Sequence, residues 1–301
     1  MYDIIIIGAG PAGLTAAVYA RRAGKSVLII ERSTFGGQVT YSPKIENFPA
    51  YVSISGAELA DKMVEQALAQ GADIEMETVT ALEKTDTGFK VITEDNVYES
   101  RAVIVAAGVR HRLLGLEGET DYIGKGISFC AVCDGAFYDG GTVAVIGGGN
   151  SALQEALMLS ELCKKVYVVQ NLATLTGEES LRNQLYEKSN VEIITSTVVK
   201  ALEGDEELKA IRVENTESGI SQRLDVDGMF VAIGLVPEND IYADLAELDR
   251  GYIACDEGCK TATAGLYAAG DCRTKSVRQI TTAVADGASA ALAACAYLEN
   301  R

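Results

Sequence analysis

Apolar residues run unbroken from Ile4 to Ile7 and again through "VLII" at 27–30, with a stretch of helical spacing between them. Short unbroken apolar runs mark strands buried on both faces of a parallel sheet. "YDIIIIGAGPAGLTAAVYARRAGKSVLIIER" is therefore predicted as strand, tight turn, helix, strand. The pattern returns in "TVAVIGGGNSALQEALMLSELCKKVYVVQ", with strands at 142–146 and 166–169 around a second helix. After each such unit comes a segment of alternating strands broken by turn residues, closing on a buried strand and a glycine, Gly108 in one case and Gly234 in the other. The tail gives a strand, a Gly-Asp turn and an alanine-rich helix, which returns the chain to its first domain. The expected fold is α/β, with two Rossmann-like three-layer dinucleotide-binding domains, the first discontinuous. Residues 1–113 and 241–301 form one domain and 114–240 the other, with crossings at the turn-rich "LLGLEGE" and "GLVPEND".

Glycine spacing adds chemistry to this pattern. Gly8, Gly10 and Gly13 follow the first strand as G-x-G-x-x-G, which permits a tight turn, close approach of a pyrophosphate, and close packing of the next helix. Glu31 ends the second strand, where a carboxylate can accept hydrogen bonds from ribose hydroxyls. In the second unit Gly147, Gly148 and Gly149 hold the loop, with Ala152 in the third position.

Composition then narrows the function classes. A chain of 301 residues, 48% hydrophobic and 23% charged, has the balance of a globular protein with room for two cores. A net charge of −17 opposes nonspecific binding to nucleic acid. No basic residue precedes the first apolar run, which is too short to span a bilayer, so the expectation is a cytoplasmic protein with no signal peptide and no membrane partner. A single histidine, His111, argues against Ser–His or Cys–His nucleophilic catalysis and His-rich metal sites; it lies in a hinge and is expected at the surface. Seven cysteines in a reducing compartment point to catalysis, metal binding or burial.

Two of those cysteines form a motif. "FCAVCDGAF" places Cys130 and Cys133 two residues apart, with Asp134 beside the second. A thiolate attacks disulfides, and a buried carboxyl with a raised pKa can protonate the departing sulfur. The rival is a zinc site completed by Cys255 and Cys259. That second pair lies in the segment returning to the first domain, without other zinc-ribbon context, so no metal is expected. Cys163, Cys272 and Cys295 read as small buried residues, and Cys255 and Cys259 as neutral, surface or regulatory thiols.

"GAGPAG", "GGQ", "ENFP", "CAVCDG", "GGGNSALQEA", "AAGDCR" and "RQI", in this order, resemble the low-molecular-weight thioredoxin reductase family over nearly the whole chain. The resemblance implies FAD in the first domain, a homodimer, and electron transfer from flavin to the disulfide of thioredoxin or a thioredoxin-like protein. By the same resemblance Gly8, Gly10, Gly13 and Glu31 hold FAD, and Gln38 and Asn47 lie near the flavin or its linker. Asp271 binds the ribityl or pyrophosphate side, with Arg278, Gln279 and Ile280 near the isoalloxazine. Cys133 faces the flavin, Cys130 attacks the partner, and Asp134 manages the proton.

One stretch departs from the family. Where NADPH-using members carry a His-Arg-Arg run and a later arginine, this chain has Gln170, Asn171, Leu172 and Thr176, followed by Glu178 and Glu179. A 2′-phosphate meets no cation there. Gly147 and Gly149 still offer a pyrophosphate loop, so the 147–152 segment is open to NADH bound weakly or to a second FAD. Ferredoxin is the third candidate donor, docking at Arg273, Lys275 and Arg278. An ordinary NAD(P)H-dependent thioredoxin reductase is the alternative, and a flavin-binding thiol sensor without sustained turnover is the alternative of another class.

Overall fold

The structure is a computed structural model that describes residues 1–42 and 44–300. Among these, residues 1–42, 48–110 and 236–300 form one compact unit, and 44–47 with 111–235 a second. The chain crosses between units at 110/111 and 235/236, a few residues ahead of the boundaries read at 113/114 and 240/241.

The first unit is built on a seven-stranded sheet. Tyr2–Ile7 pairs in parallel with Val27–Glu31 on one side and Val97–Val105 on the other. Asp73–Met76 extends the sheet beyond Val27–Glu31, and Leu266–Ala268, from the returning tail, lies parallel to Val97–Val105. The long strand Val97–Val105 serves two roles. Its start pairs antiparallel with Phe89–Thr93 as the last strand of the meander, and its end joins the parallel core.

The unbroken isoleucine run has a two-sided cause. Ile4 and Ile6 face the helical layer with Leu14, Ala17 and Ala290, while Ile5 and Ile7 face the meander layer with Leu82, Phe89 and Val91. Successive side chains of a strand point to opposite faces, so a sheet covered on both sides has no polar positions to offer.

Helices Pro11–Arg22 and Ile280–Glu299 pack against each other through alanines: Ala12, Ala16, Ala17 and Ala20 on one, Ala283, Ala290, Ala291 and Ala294 on the other. At Gly287 the backbones nearly touch, for a Cβ there would lie 2.2 Å from the Ala12 carbonyl oxygen. By length and composition alone Ile280–Glu299 is long and apolar enough to cross a membrane; its small-residue face is committed to this seam.

The second unit repeats the plan. Its five-stranded parallel sheet runs Val191–Ile194, Lys165–Val169, Thr142–Ile146, Gly228–Val231, Ile127–Ser128. Val143 and Val145 face helix Asn150–Leu162, and Ala144 and Ile146 face a three-stranded meander over residues 197–225. This meander is a sheet of its own, because Val226 and Asp227 interrupt the chain between its last strand and Gly228–Val231. The two meanders are thus related in plan but joined differently to their parallel sheets. Within this unit the 114–119 segment is held by Glu119, almost fully buried, whose carboxylate accepts N–H bonds from Leu114, Gly115 and Leu116.

Gly287→Val places a branched side chain against the Ala12 carbonyl and is expected to cost about 1–3 kcal/mol. Thermal unfolding followed by circular dichroism should show a fall of several degrees, while Leu292→Ala on the exposed face leaves the midpoint nearly unchanged.

Candidate active site

In the first unit, three separate sequence motifs converge on one helix start. Gly8 turns the chain at φ 108° and packs so closely that a Cβ would lie 2.4 Å from the Ala106 carbonyl oxygen. Gly13 sits against the Gly8 carbonyl. Gly10 differs: it caps Pro11–Arg22 in extended backbone without a side-chain cap, and a Cβ there meets no atom within 4 Å. The helix therefore presents N–H groups and its positive end to open space, which suits a pyrophosphate.

Glu31 reaches back to this loop. One carboxylate oxygen accepts the Ala9 N–H at 2.8 Å and the other the Ser33 N–H at 2.9 Å. The "GGQ" segment lies on the same loop, with the Gly36 N–H bonded to the Ala9 carbonyl at 2.8 Å. The Gln38 amide donates to the Val109 carbonyl. Asn47 belongs to the short 44–47 segment that groups with the second unit.

The Gly-Asp turn of the tail also arrives here: a Cβ on Gly270 would lie 2.8 Å from that of Ala12. Asp271 is largely buried, and its Oδ1 has no hydrogen-bond partner, an acceptor left for a ligand hydroxyl. Burial raises its pKa, and Lys275 and Arg278 oppose the rise. Arg278 stacks on Tyr252 and donates to the carbonyls of Asp271, Arg273 and Lys275, so it braces the turn. Gln279 caps the last helix in a reciprocal capping box with Thr282, and Ile280 is that helix's first residue. An open helix start and an orphaned buried carboxylate oxygen fit a dinucleotide with a polyhydroxyl chain such as FAD.

Arg273 and Lys275 do not form the surface patch expected of them. Both are buried against Asp286, at 2.9 and 2.8 Å, and Arg273 also donates to the Cys255 sulfur. Their charges are consumed inside the unit. Cys163, Cys259, Cys272 and Cys295 are buried and Cys255 half-buried; burial pushes the Cys272 and Cys259 thiols up to about 12. No three metal-ligating side chains converge among the described residues.

In the second unit Cys130 and Cys133 are joined as a disulfide, with Cα atoms 5.3 Å apart. Cys130 precedes a single helical turn, Ala131–Asp134, and both sulfur-bearing residues are half-buried beside the exposed Val132 and Phe137. The turn sets Asp134 beneath the strand end, where Ser128 Oγ donates to Oδ2 at 2.5 Å. Burial raises the Asp134 pKa and the Ser128 bond lowers it. His111 is half-buried: it stacks on Phe129 at 4.4 Å, and burial lowers its pKa to about 4, so it is neutral at physiological pH.

The second glycine loop mirrors the first. Gly147 turns at φ 131°, and a Cβ there would lie 2.5 Å from the Ala232 carbonyl oxygen; Gly149 caps helix Asn150–Leu162. What covers this loop is different. The Gln170 carboxamide is buried above Gly148, within 2.5 Å of where a Cβ would stand, and its Oε1 accepts the Asn171 N–H. Thr176 bonds the Gly148 carbonyl through both its N–H and its hydroxyl. Leu172 is exposed and Leu175 is core. Glu178 is engaged with Asn150 through two hydrogen bonds. The first cation after the strand is Arg182, whose Nε is buried.

Ser128, the Glu31–Ala9 bond and the Asp286 ion pairs were not legible in the sequence. Each is a side-chain hydrogen bond or ion pair that no motif flags.

The pyridine nucleotide-disulphide oxidoreductase family model matches residues 2–287. A thioredoxin reductase of Treponema pallidum is 39% identical over 300 residues, covering 99% of this chain and 98% of the relative. A 34.2 kDa protein in the rubredoxin operon of Clostridium pasteurianum is 40% identical, covering 99% and 98%. The crystal structure of thioredoxin reductase from Streptococcus pyogenes superposes with a TM-score of 0.95 at 40% identity, covering 100% of this chain and 99% of that one. The duplicated glycine loops, the disulfide and these likenesses agree: the chain belongs to the pyridine nucleotide-disulphide oxidoreductase family.

Proposed function

We propose that this chain is an FAD-dependent reductase of thioredoxin or a thioredoxin-like protein whose electron donor is not NADPH but a one-electron carrier of the ferredoxin type. Flavin chemistry supplies a centre that accepts electrons singly and passes them on in pairs. In the reduced chain the Cys130 thiolate attacks one sulfur of the partner disulfide, and the departing sulfur takes a proton from Asp134. The Cys133 thiolate then attacks the Cys130 sulfur, forming the intramolecular disulfide and expelling the partner's second sulfur as a thiolate, which takes a proton from water to complete the dithiol. Two electrons leave the Cys130/Cys133 pair and two enter the partner. Val132 and Phe137, exposed beside Cys130, give that partner an apolar footing.

The donor assignment rests on one observation, the cover of the second glycine loop. From Gln170 to Gly177 it carries no cation, and the Gln170 amide is turned into its own loop instead of toward a ligand. A charge-assisted hydrogen bond contributes about 1.5–3 kcal/mol. Missing two of them weakens a 2′-phosphate ligand by roughly 10²–10⁴-fold. The relative from a rubredoxin operon supports a setting of one-electron iron proteins. The preserved turn at Gly147 and the open Gly149 favour a second reading, weak use of NADH through backbone contacts alone.

Anaerobic mixing with reduced ferredoxin, NADH and NADPH, followed by flavin absorbance, separates the donors. Bleaching by ferredoxin is expected, and fast bleaching by micromolar NADPH would restore the ordinary reductase. Cys133→Ser should retain FAD while thioredoxin reduction falls to background; unaltered turnover would remove the pair from catalysis. Gly10→Val fills space that no protein atom occupies, so the circular dichroism spectrum should persist while FAD retention weakens by about tenfold or more.

A further inference from the structure

We infer that Ser128 is a positioning residue of the thiol–disulfide step: its hydroxyl holds Asp134 through one carboxyl oxygen and leaves the other to carry the proton. This rests on the reading of Asp134 as the acid of that step. Ser128 closes the edge strand Ile127–Ser128 and is buried. Its Oγ accepts the Cys130 N–H at 3.1 Å, so its single hydrogen is free to point at Asp134 Oδ2, 2.5 Å away. Oδ1 is also buried, and no protein group bonds it.

The asymmetry decides where the acid proton resides. Oδ2 already receives a hydrogen from serine, so a proton added to the carboxyl goes to Oδ1, the oxygen that no protein group bonds. In the proposed step a sulfur–sulfur bond forms at Cys130, the partner's own disulfide breaks, and the Oδ1 proton passes to the departing sulfur. The resulting carboxylate keeps its Ser128 bond, which therefore strengthens as the proton leaves. One hydroxyl also ties the Cys130 backbone to the acid, so nucleophile and proton donor share a single fixed point at the end of a sheet strand.

The direction of the pH effect follows. Burial favours the neutral acid and the Ser128 bond favours the carboxylate. Removing the hydroxyl leaves burial unopposed, so Asp134 holds its proton to higher pH. Tyr138, on the turn that follows, also feels this charge; pushed up to about 12, it stays neutral across the working range. His111, stacked on Phe129 ahead of Cys130, is neutral above about pH 4.

The test uses the FAD-loaded full-length protein, reduced chemically so that the natural donor is irrelevant, and mixed once with oxidised thioredoxin at a series of pH values. In wild type the rate falls as pH rises through the Asp134 titration. Ser128→Ala should move that fall to higher pH and lower the plateau roughly tenfold. Ser128→Thr, which keeps the hydroxyl, should restore the wild-type profile. Infrared titration of the protonated carboxyl band, assigned by its loss in Asp134→Asn, should move upward in Ser128→Ala alone. If the alanine variant loses its fold, Ser128→Cys, with a weak donor, gives the same two readouts. Equal loss of rate in Ser128→Ala and Ser128→Thr with an unmoved profile and band would overturn the inference and leave Ser128 a packing residue. Unaltered rates in Asp134→Asn would instead sink the reading on which it rests.

Discussion

Both halves of this chain depend on one close approach. At Gly8 and at Gly147 a strand ends against the carbonyl of its neighbour, Ala106 O in one unit and Ala232 O in the other, nearer than any side chain allows. Each glycine has positive φ and no Cβ, so the turn is tight enough to start a helix at the sheet edge with its N–H groups unmet. An alanine at either position would push the helix from the strand. The unbroken apolar strands, the alanine seam and the meanders serve to hold these two turns.

The two turns are covered differently. In the first unit, Gly10 faces open space and Asp271 brings an unpartnered carboxylate oxygen beside it. In the second, the segment after the strand folds down on Gly148 through Thr176 and Gln170 and brings no positive charge. The dithiol is placed in this second unit, on a single helical turn, with its acid fixed to the neighbouring strand end by Ser128. The Asp134 carboxyl and the Cys130 backbone are thereby held by the same strand end.

Charge was the least legible property. A total of −17 says that cations are scarce, but not which are available. Arg273, Lys275 and Arg278 read as a basic patch in sequence; in the fold two are buried against Asp286 and the third braces a turn. His111 likewise reads as a hinge residue and is found stacked and neutral. Which partner a polar side chain finds depends on how the folded turn presents it, and spacing along the chain carries no record of that.

By itself the sequence determined the double α/β plan, the two glycine turns, the dithiol with its acid, and the loss of cations after the second strand. These are local: strand and helix periodicity, the glycine spacing of a turn, and residue identity at a strand end need no distant partner. Only the tertiary structure decided that the first meander merges with its sheet while the second stands apart, that Glu31 ties down the Ala9 N–H, and that Ser128 divides the two oxygens of Asp134. Those features join residues through pairing and burial, and the energy of a buried hydrogen bond depends on which groups the folded chain brings within 3 Å.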